Sequence, residues 1–475
     1  MVCIVERAEK GSETGMDRQI TRREFLRGLA AGSSVALLAA CGGGDPPAAQ
    51  DTSTPVPADG ATTAPAQVGG TGSTVNITYW GSFSDVLGEA EQAMVESFNT
   101  SQQDVVVEYQ YQGSYEDTAQ KFTAALQAQA IPDVILLSDV WWFKFYLAQA
   151  IAPLDDLAAQ ANVDFSDYQP VLLNEGVRDG VHYWIPFARS TPLFYYNKEI
   201  WAEVGLPERA PQTWDEFGEW APQLVQRNGD TMTRAAYVHP GAASYIAWLF
   251  QGVIWQFGGQ YSTPEFEITL NEPDSIRAAQ FFSDTVNDYA WAMHSTDINR
   301  EFIGGQAASM MASTGALAGI QRNAPFEVGV GFLPEERAFG CPTGGAGLAI
   351  PSGASAEKQQ AAMAFIAFAT STDGTITWSQ STGYMPVRVS AVNDPKMQAF
   401  FEENPNFRTA VEQLPKTRAQ DAARVFIPNG DQIIGRGLER IVINREDIER
   451  VWQDVTVELE EGAAPVLEDL EALRA

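Results

Sequence analysis

Between residues 75 and 137 the apolar residues alternate between two periods, and that rhythm narrows the fold more than any other feature. Val75-Asn-Ile-Thr-Tyr-Trp80 alternates and is rich in β-branched and aromatic residues, which predicts a strand. Ser84 to Asn99 spaces Val86, Leu87, Ala90, Met94, Val95 and Phe98 at helical intervals. Val105 to Tyr111 predicts a second strand. Ser114 then opens a helix as an N-cap, with Asp117 three residues on as a capping-box variant. Pro132 stops that helix, and Val134-Ile-Leu-Leu137 reads as a strand buried on both faces. Such a βαβαβ run predicts a doubly wound α/β sheet, whose ligands gather beyond the carboxyl ends of the strands. Trp80, Gly81, Ser82, Ser138 and Asp139 therefore fall at the edge of a site.

Two of these positions carry a second reading. Asp139 at a strand-to-helix junction also suits the N-cap of a helix from Val140 to Ala150. Trp141 and Trp142 suit either a stacking platform or ordinary packing, and adjacent helical residues point apart, so at most one faces a site. Further on, Trp184 to Lys198 is extended and interrupted by Pro186 and Pro192. Helices are expected over Trp214 to Val225 and Ser275 to Val286, and a Glu-rich helical hairpin over Val425 to Ala475. Glycines cluster at Gly329 to Gly331 and Gly344 to Gly347, where they allow close backbone approach to a ligand or a sharp reversal.

Composition removes several function classes. The 475 residues carry 61 acidic and 30 basic side chains, a net charge of -31, whereas a nucleic-acid binder needs a basic surface. Three cysteines and three histidines leave little for a disulfide framework or a metal site. His182, His239 and His294 lack zinc-site spacing. No apolar run reaches the roughly 18 residues of a membrane span. Neither a phosphate-binding GxxxxGK[ST] nor a GxSxG nucleophile elbow occurs. A glycosidase needs only a carboxylate pair, so a secreted carbohydrate-active enzyme stays open as an alternative. No cofactor is expected.

The N-terminal region reads as an address. Arg22 and Arg23 precede Phe25-Leu26, as in twin-arginine export signals, and a short apolar stretch leads to Leu38-Ala-Ala-Cys41, which resembles a lipobox. Residues 1–41 are read as a lipoprotein signal with Cys41 as the lipidated residue, Met16 being an alternative start. Residues 42–74, rich in Gly, Pro, Ser and Thr, read as a disordered linker with a mean span of roughly 30 Å. A lipid, a tether and a globular body describe a protein held at the outer face of the cytoplasmic membrane.

Four stretches resemble one family: Thr191-Pro-Leu-Phe-Tyr-Tyr-Asn-Lys198, Pro211-Gln-Thr-Trp-Asp-Glu-Phe217, Thr382-Gly-Tyr-Met-Pro386 and Asn404-Pro-Asn-Phe407. Their order and spacing are similar to those of the family 1 extracellular solute-binding proteins of ABC importers, within which the chain looks most like the glycerol-3-phosphate and glycerophosphodiester binders. The resemblance implies a two-lobed periplasmic-binding-protein fold, two doubly wound sheets joined by crossing hinge strands, with solute in the cleft between them. Lobe one would hold 75–187 and 346–388, lobe two 188–345 and 389–475. The implied role is a monomeric receptor, not an enzyme, that delivers a small polar solute to an ABC permease and its ATPase. A sugar-specific receptor without phosphate recognition is the alternative within the family.

Carried over residue by residue, the resemblance implies ligand contacts at Tyr115, Asp139, Ser190, Ser313, Gly345 and Tyr384, beside Trp80 at the strand end. Two features depart from the pattern. A family Trp-x-x-Trp pair is replaced near 241–246, where Tyr245 is the one aromatic. The phosphate-binding arginine expected after a Gln-Ile pair is missing, which leaves Arg436 and Arg189 as substitutes.

Overall fold

The computed structural model describes residues 74–474, apart from 242 and the side chain of 243. The export-signal and linker readings, Cys41 included, lie outside the described residues but for Thr74. In chain order β1 (Val75–Gly81), β2 (Val105–Tyr111), β3 (Val134–Ser138) and β4 (Ile185–Ser190) come first. A single residue, Thr191, separates β4 from β5 (Pro192–Asn197), which belongs to a second sheet. That sheet continues with β6 (Thr231–Pro240), β7 (Ala292–Ser295), β8 (Ala307–Ser313) and β9 (Val328–Gly331). The chain then returns to the first sheet as β10 (Gly344–Ala349).

The first sheet has five strands in the order β2-β1-β3-β10-β4. β1 pairs in parallel with β2 and β3, whereas β10 lies antiparallel between β3 and β4. The second sheet has six strands in the order β7-β6-β8-β5-β9, counting the short strand Gln226–Asn228 that pairs with β6. There β6 runs parallel to β7 and β8, and β5 antiparallel to β8 and β9. Each lobe is thus a mixed sheet under helices, as expected of a two-lobed α/β receptor.

Local chemistry explains the first βαβαβ unit. Ser114 Oγ accepts from Asp117 N at 3.1 Å and the Asp117 carboxylate accepts from Ser114 N at 2.9 Å, so helix Tyr115–Ala128 starts with both halves of a capping box. It ends at Gln129 in the left-handed region, three residues before Pro132. β3 is buried along its whole length, because helices cover both faces of a central strand. The glycines at 329 and 331 serve packing: a side chain at Gly329 would strike the Tyr196 ring, and one at Gly331 would strike Ala210.

The final helix joins the two lobes. Val451, Trp452, Val455 and Leu459 sit in the second lobe's core beside Trp214, Tyr237 and Phe250. Further along the same helix, Ile448–Arg474, Val466, Leu470 and Leu473 pack with Trp142 and Phe143 of the first lobe. Phe426 reaches that aromatic group too, its ring 4.5 Å from Phe143, with the Arg178 guanidinium 4.5 Å from the Phe426 ring centre.

One acidic side chain makes the first lobe sensitive to pH. Glu91 is 1% exposed behind β1 and accepts hydrogen bonds from the Tyr79 hydroxyl and, at 2.8 Å, from the Tyr109 hydroxyl. Burial raises its pKa to about 7, more than the two phenols lower it. The folded protein therefore holds this proton more tightly than the unfolded chain, so the contribution is present at low pH. It is lost as pH rises from the ordinary carboxyl range through about 7. Glu91→Gln is expected to remove that part of the slope, so melting temperatures of variant and wild type should diverge from pH 5 to pH 8 in the variant's favour. Parallel curves would show that Glu91 does not titrate in this window.

Candidate functional site

The strand directions gather one set of residues at the lobe junction. β1, β3 and β4 end at Gly81, Ser138 and Ser190, and β10, running the other way, begins there with Gly344 and Gly345. Register fixes the neighbours: Gly344 lies opposite Ser190, Gly345 opposite Arg189 and Ala346 opposite Ser138. Asp139 N donates to Gly345 O at 3.0 Å. From the second sheet, β8 ends at Ser313, opposite Pro192, and Thr314 N donates to Thr191 O at 3.1 Å.

Asp139 is the centre of a buried polar group. Its Oδ2 accepts from Gln420 Nε2, and Gln420 Oε1 in turn accepts from Arg424 Nη1. Arg424 is 4% exposed, donates through Nη2 to Ser244 O at 3.3 Å, and leaves Nε without a partner. The neighbouring Asp421 ties this segment to the second lobe, accepting from Tyr261 N at 2.8 Å and from Trp255 Nε1 at 3.0 Å. An acceptor on the first lobe and a guanidinium on the second are thereby linked through one amide. The helix after Asp139 begins only at Trp142, with Trp141 as its cap residue and no side-chain capping bond, so Asp139 does not act as an N-cap.

Arg189, fully buried, donates from Nη2 to Glu175 Oε2 at 2.6 Å and stacks on Trp184 at 4.8 Å. Burial raises the Glu175 pKa, and the Arg189 charge works against that rise. On the other side stand the aromatics. Tyr115 and Tyr384 both set their rings against Phe83, at 5.7 and 5.9 Å. Burial pushes Tyr384 up to about 12 and Tyr115 well above the usual phenol range. Both stay neutral at physiological pH and keep their O–H groups as donors. Tyr384 also packs over Gly315, where a side chain would strike its ring.

The structure brings together Tyr115, Asp139, Arg189, Ser190, Ser313, Gly345, Tyr384 and Tyr245. The Tyr245 hydroxyl accepts from Ser313 N at 2.9 Å and its ring faces Trp248 at 5.6 Å. Ser313 Oγ accepts from Gly315 N at 3.1 Å. Trp80 is half-buried at the end of β1, and its indole donates to Gln110 Oε1 at 2.9 Å. Trp142 is buried and stacked on Trp184, leaving Trp141 half-buried at the surface beside Lys144.

Arg436 does not join this group. It is half-exposed on helix Gly430–Val442, pairs with Glu458 at 2.7 Å, and lines a surface groove of about 450 Å³. Its helix buries Ile433, Ile434, Gly437, Leu438 and Ile441 at helical spacing, which turns residue 436 outward. Sequence reasoning missed Arg424, Gln420, Glu175 and Trp248. Gln420 precedes the short helix Ala422–Val425 that carries Arg424, so no helical periodicity marked the pair in the sequence.

A model of the bacterial extracellular solute-binding proteins matches residues 93–409, more than half of the chain. The chain belongs to this family. The sn-glycerol-3-phosphate-binding periplasmic protein UgpB of Yersinia pseudotuberculosis is 29% identical over 399 residues, covering 79% of this chain and 87% of its own. Its counterpart in Escherichia coli K12 is 27% identical over 413 residues, 82% of this chain and 90% of its own. Among solved structures, UgpB from Mycobacterium tuberculosis in complex with glycerophosphocholine superposes with a TM-score of 0.78 at 42% identity. The match takes in 83% of this chain and all of that one. The GacH receptor of Streptomyces glaucescens, at 20% identity and TM-score 0.71, shares the fold over 82% of this chain and 98% of its own. As a solute-binding protein of this family, the chain serves an ABC permease and its ATPase outside the cytoplasm, and its fold is that of non-catalytic receptors. The alternative of a secreted carbohydrate-active enzyme has no counterpart in these matches.

Proposed function

We propose that the protein captures a glycerol phosphate, either sn-glycerol 3-phosphate or a glycerophosphodiester, between its lobes. The observation that carries this reading is the Asp139–Gln420–Arg424 chain, an acceptor and a guanidinium joined across the junction. A phosphate placed at Arg424 gains charge-assisted bonds, about twice as strong as neutral ones, and the glycerol hydroxyls have Asp139 as acceptor. The reading counts Ser190, Ser313 with the turn after it, Gly345 and Tyr384 as further ligand contacts. Relatives named for glycerol 3-phosphate, and the one solved with glycerophosphocholine, support the same solute class. Contacts from both lobes favour an approached state, and the lobes close only as far as that differential affinity drives them.

A thermal-shift panel tests the solute. Ligand at about a hundredfold over its dissociation constant adds roughly 2.7 kcal/mol. Glycerol 3-phosphate and glycerophosphocholine are expected to raise the melting temperature, and maltose, trehalose and pentoses are not. A rise with sugars alone overturns the phosphate reading in favour of a sugar receptor. The reading includes residues 1–41 as an export signal, residues 42–74 as a tether and Cys41 as the lipid anchor. Cys41→Ser is expected to move the protein from the membrane fraction to the medium or periplasm; an unchanged distribution counts against the anchor.

A further inference from the structure

We infer that Arg189 reads ligand hydroxyls together with Asp139 and is not a phosphate contact, an inference that rests on the proposed solute class and sharpens it. Arg189 has no exposed surface. Its Nη2 is engaged by Glu175 at 2.6 Å and its Cζ lies 4.8 Å from the Trp184 ring centre, so the guanidinium plane is held from two sides. Nε and Nη1 are left without partners, and Nη1 stands 3.8 Å from Asp139 Oδ2. That gap is too wide for a direct hydrogen bond; with the packing around Nη1 opened, a single oxygen about 2.8 Å from both atoms would bridge them. Such an oxygen must accept from the guanidinium and donate to the carboxylate. An alcohol does both. A phosphate or ether oxygen has no proton to give, and a phosphate would also stand against the carboxylate charge. Ser138 Oγ, one residue before Asp139, is a further buried atom without a partner. Gln420, held to the second lobe through Asp421, covers Oδ2 in this structure, so parting the lobes uncovers the position for a ligand.

Titration calorimetry on the whole protein separates this inference from the solute reading. The probes are glycerol 3-phosphate, propyl phosphate, which keeps the phosphate and lacks both hydroxyls, and glycerol as a neutral diol. Wild type is expected to prefer glycerol 3-phosphate to propyl phosphate by at least about 100-fold, because a site built to bond hydroxyls rejects a ligand without them. In Arg189→Lys, whose ammonium reaches Glu175 but offers no second fixed nitrogen, that ratio should fall to within about tenfold. Propyl phosphate affinity should stay within about threefold of wild type. Glu175→Gln, which loosens the clamp and keeps the guanidinium, should lower the ratio in the same direction and stands in if Arg189→Lys does not fold. Equal affinity for the two esters in wild type, or a ratio that neither variant changes, overturns the hydroxyl-reading role and leaves the phosphate reading intact. Binding of glycerol with no affinity for either ester overturns the phosphate reading and upholds the hydroxyl site.

Discussion

Arg424→Ala is expected to weaken glycerol 3-phosphate binding by at least about 100-fold while the protein stays folded. The estimate follows from what a phosphate would lose at this position: two charge-assisted hydrogen bonds at roughly 1.5–3 kcal/mol each. About 2.7 kcal/mol already corresponds to a hundredfold. Arg424 is buried, yet it forms no ion pair in the structure; its partners are the Gln420 amide and the Ser244 carbonyl. Removing it leaves no buried carboxylate stranded, so the melting temperature should change much less than the affinity. Arg436→Ala is the matched control, since that side chain is half-exposed and its bond to Glu458 is a surface pair worth about 0–1 kcal/mol. Calorimetry that finds Arg424→Ala within tenfold of wild type would remove the guanidinium from the site. Arg424→Lys should recover only part of the loss, because an ammonium cannot reproduce a two-pronged contact.

The second large effect is on folding. Gly345 has φ of +101°, and a Cβ built there would lie 2.1 Å from the Ala188 carbonyl oxygen of the neighbouring strand. Gly345→Ala therefore meets both left-handed strain and a backbone clash that no rotamer change relieves. A loss of about 2–4 kcal/mol is expected from the two together. Gly205→Ala isolates the strain alone: φ there is +76° and nothing stands within 4 Å of the added carbon. Urea midpoints for the pair are the measurement. Equal shifts would mean that β10 moves aside at little cost, and that Gly345 is not required by the close approach of β4.

The order of strands and helices in the first lobe was legible because each element carries its own local signal. The capping residues at Ser114 and the apolar run Val134 to Leu137 of β3 are examples, and the position of Asp139 followed from its place at a strand end. The antiparallel insertion of β10 was not legible, since nothing between Gly344 and Ala349 states which two strands it divides. Arg424 and Gln420 were missed for a related reason. Arg424 stands on a four-residue helix, Ala422–Val425, too short for a periodic pattern, and Gln420 on the irregular segment just before it; Gln420 alone bonds Asp139, from a part of the chain 281 residues away in sequence. Arg436 was the reverse case. A family pattern drew attention to it, while the apolar residues of its own helix already assigned it to the outer face.

The place of β10 also sets a timetable for synthesis. It pairs with both β3 and β4, but it is the last of the five strands in its sheet to leave the ribosome. Until then, β3 and β4 each present an unpaired edge while the whole second sheet emerges. Contacts that distant in sequence form slowly, and open edges invite pairing with other chains. A nascent or truncated chain ending before Gly344 is therefore an aggregation hazard and not a half-receptor. The two lobes have to mature as one unit, which makes separate expression of either lobe a poor route to a binding fragment.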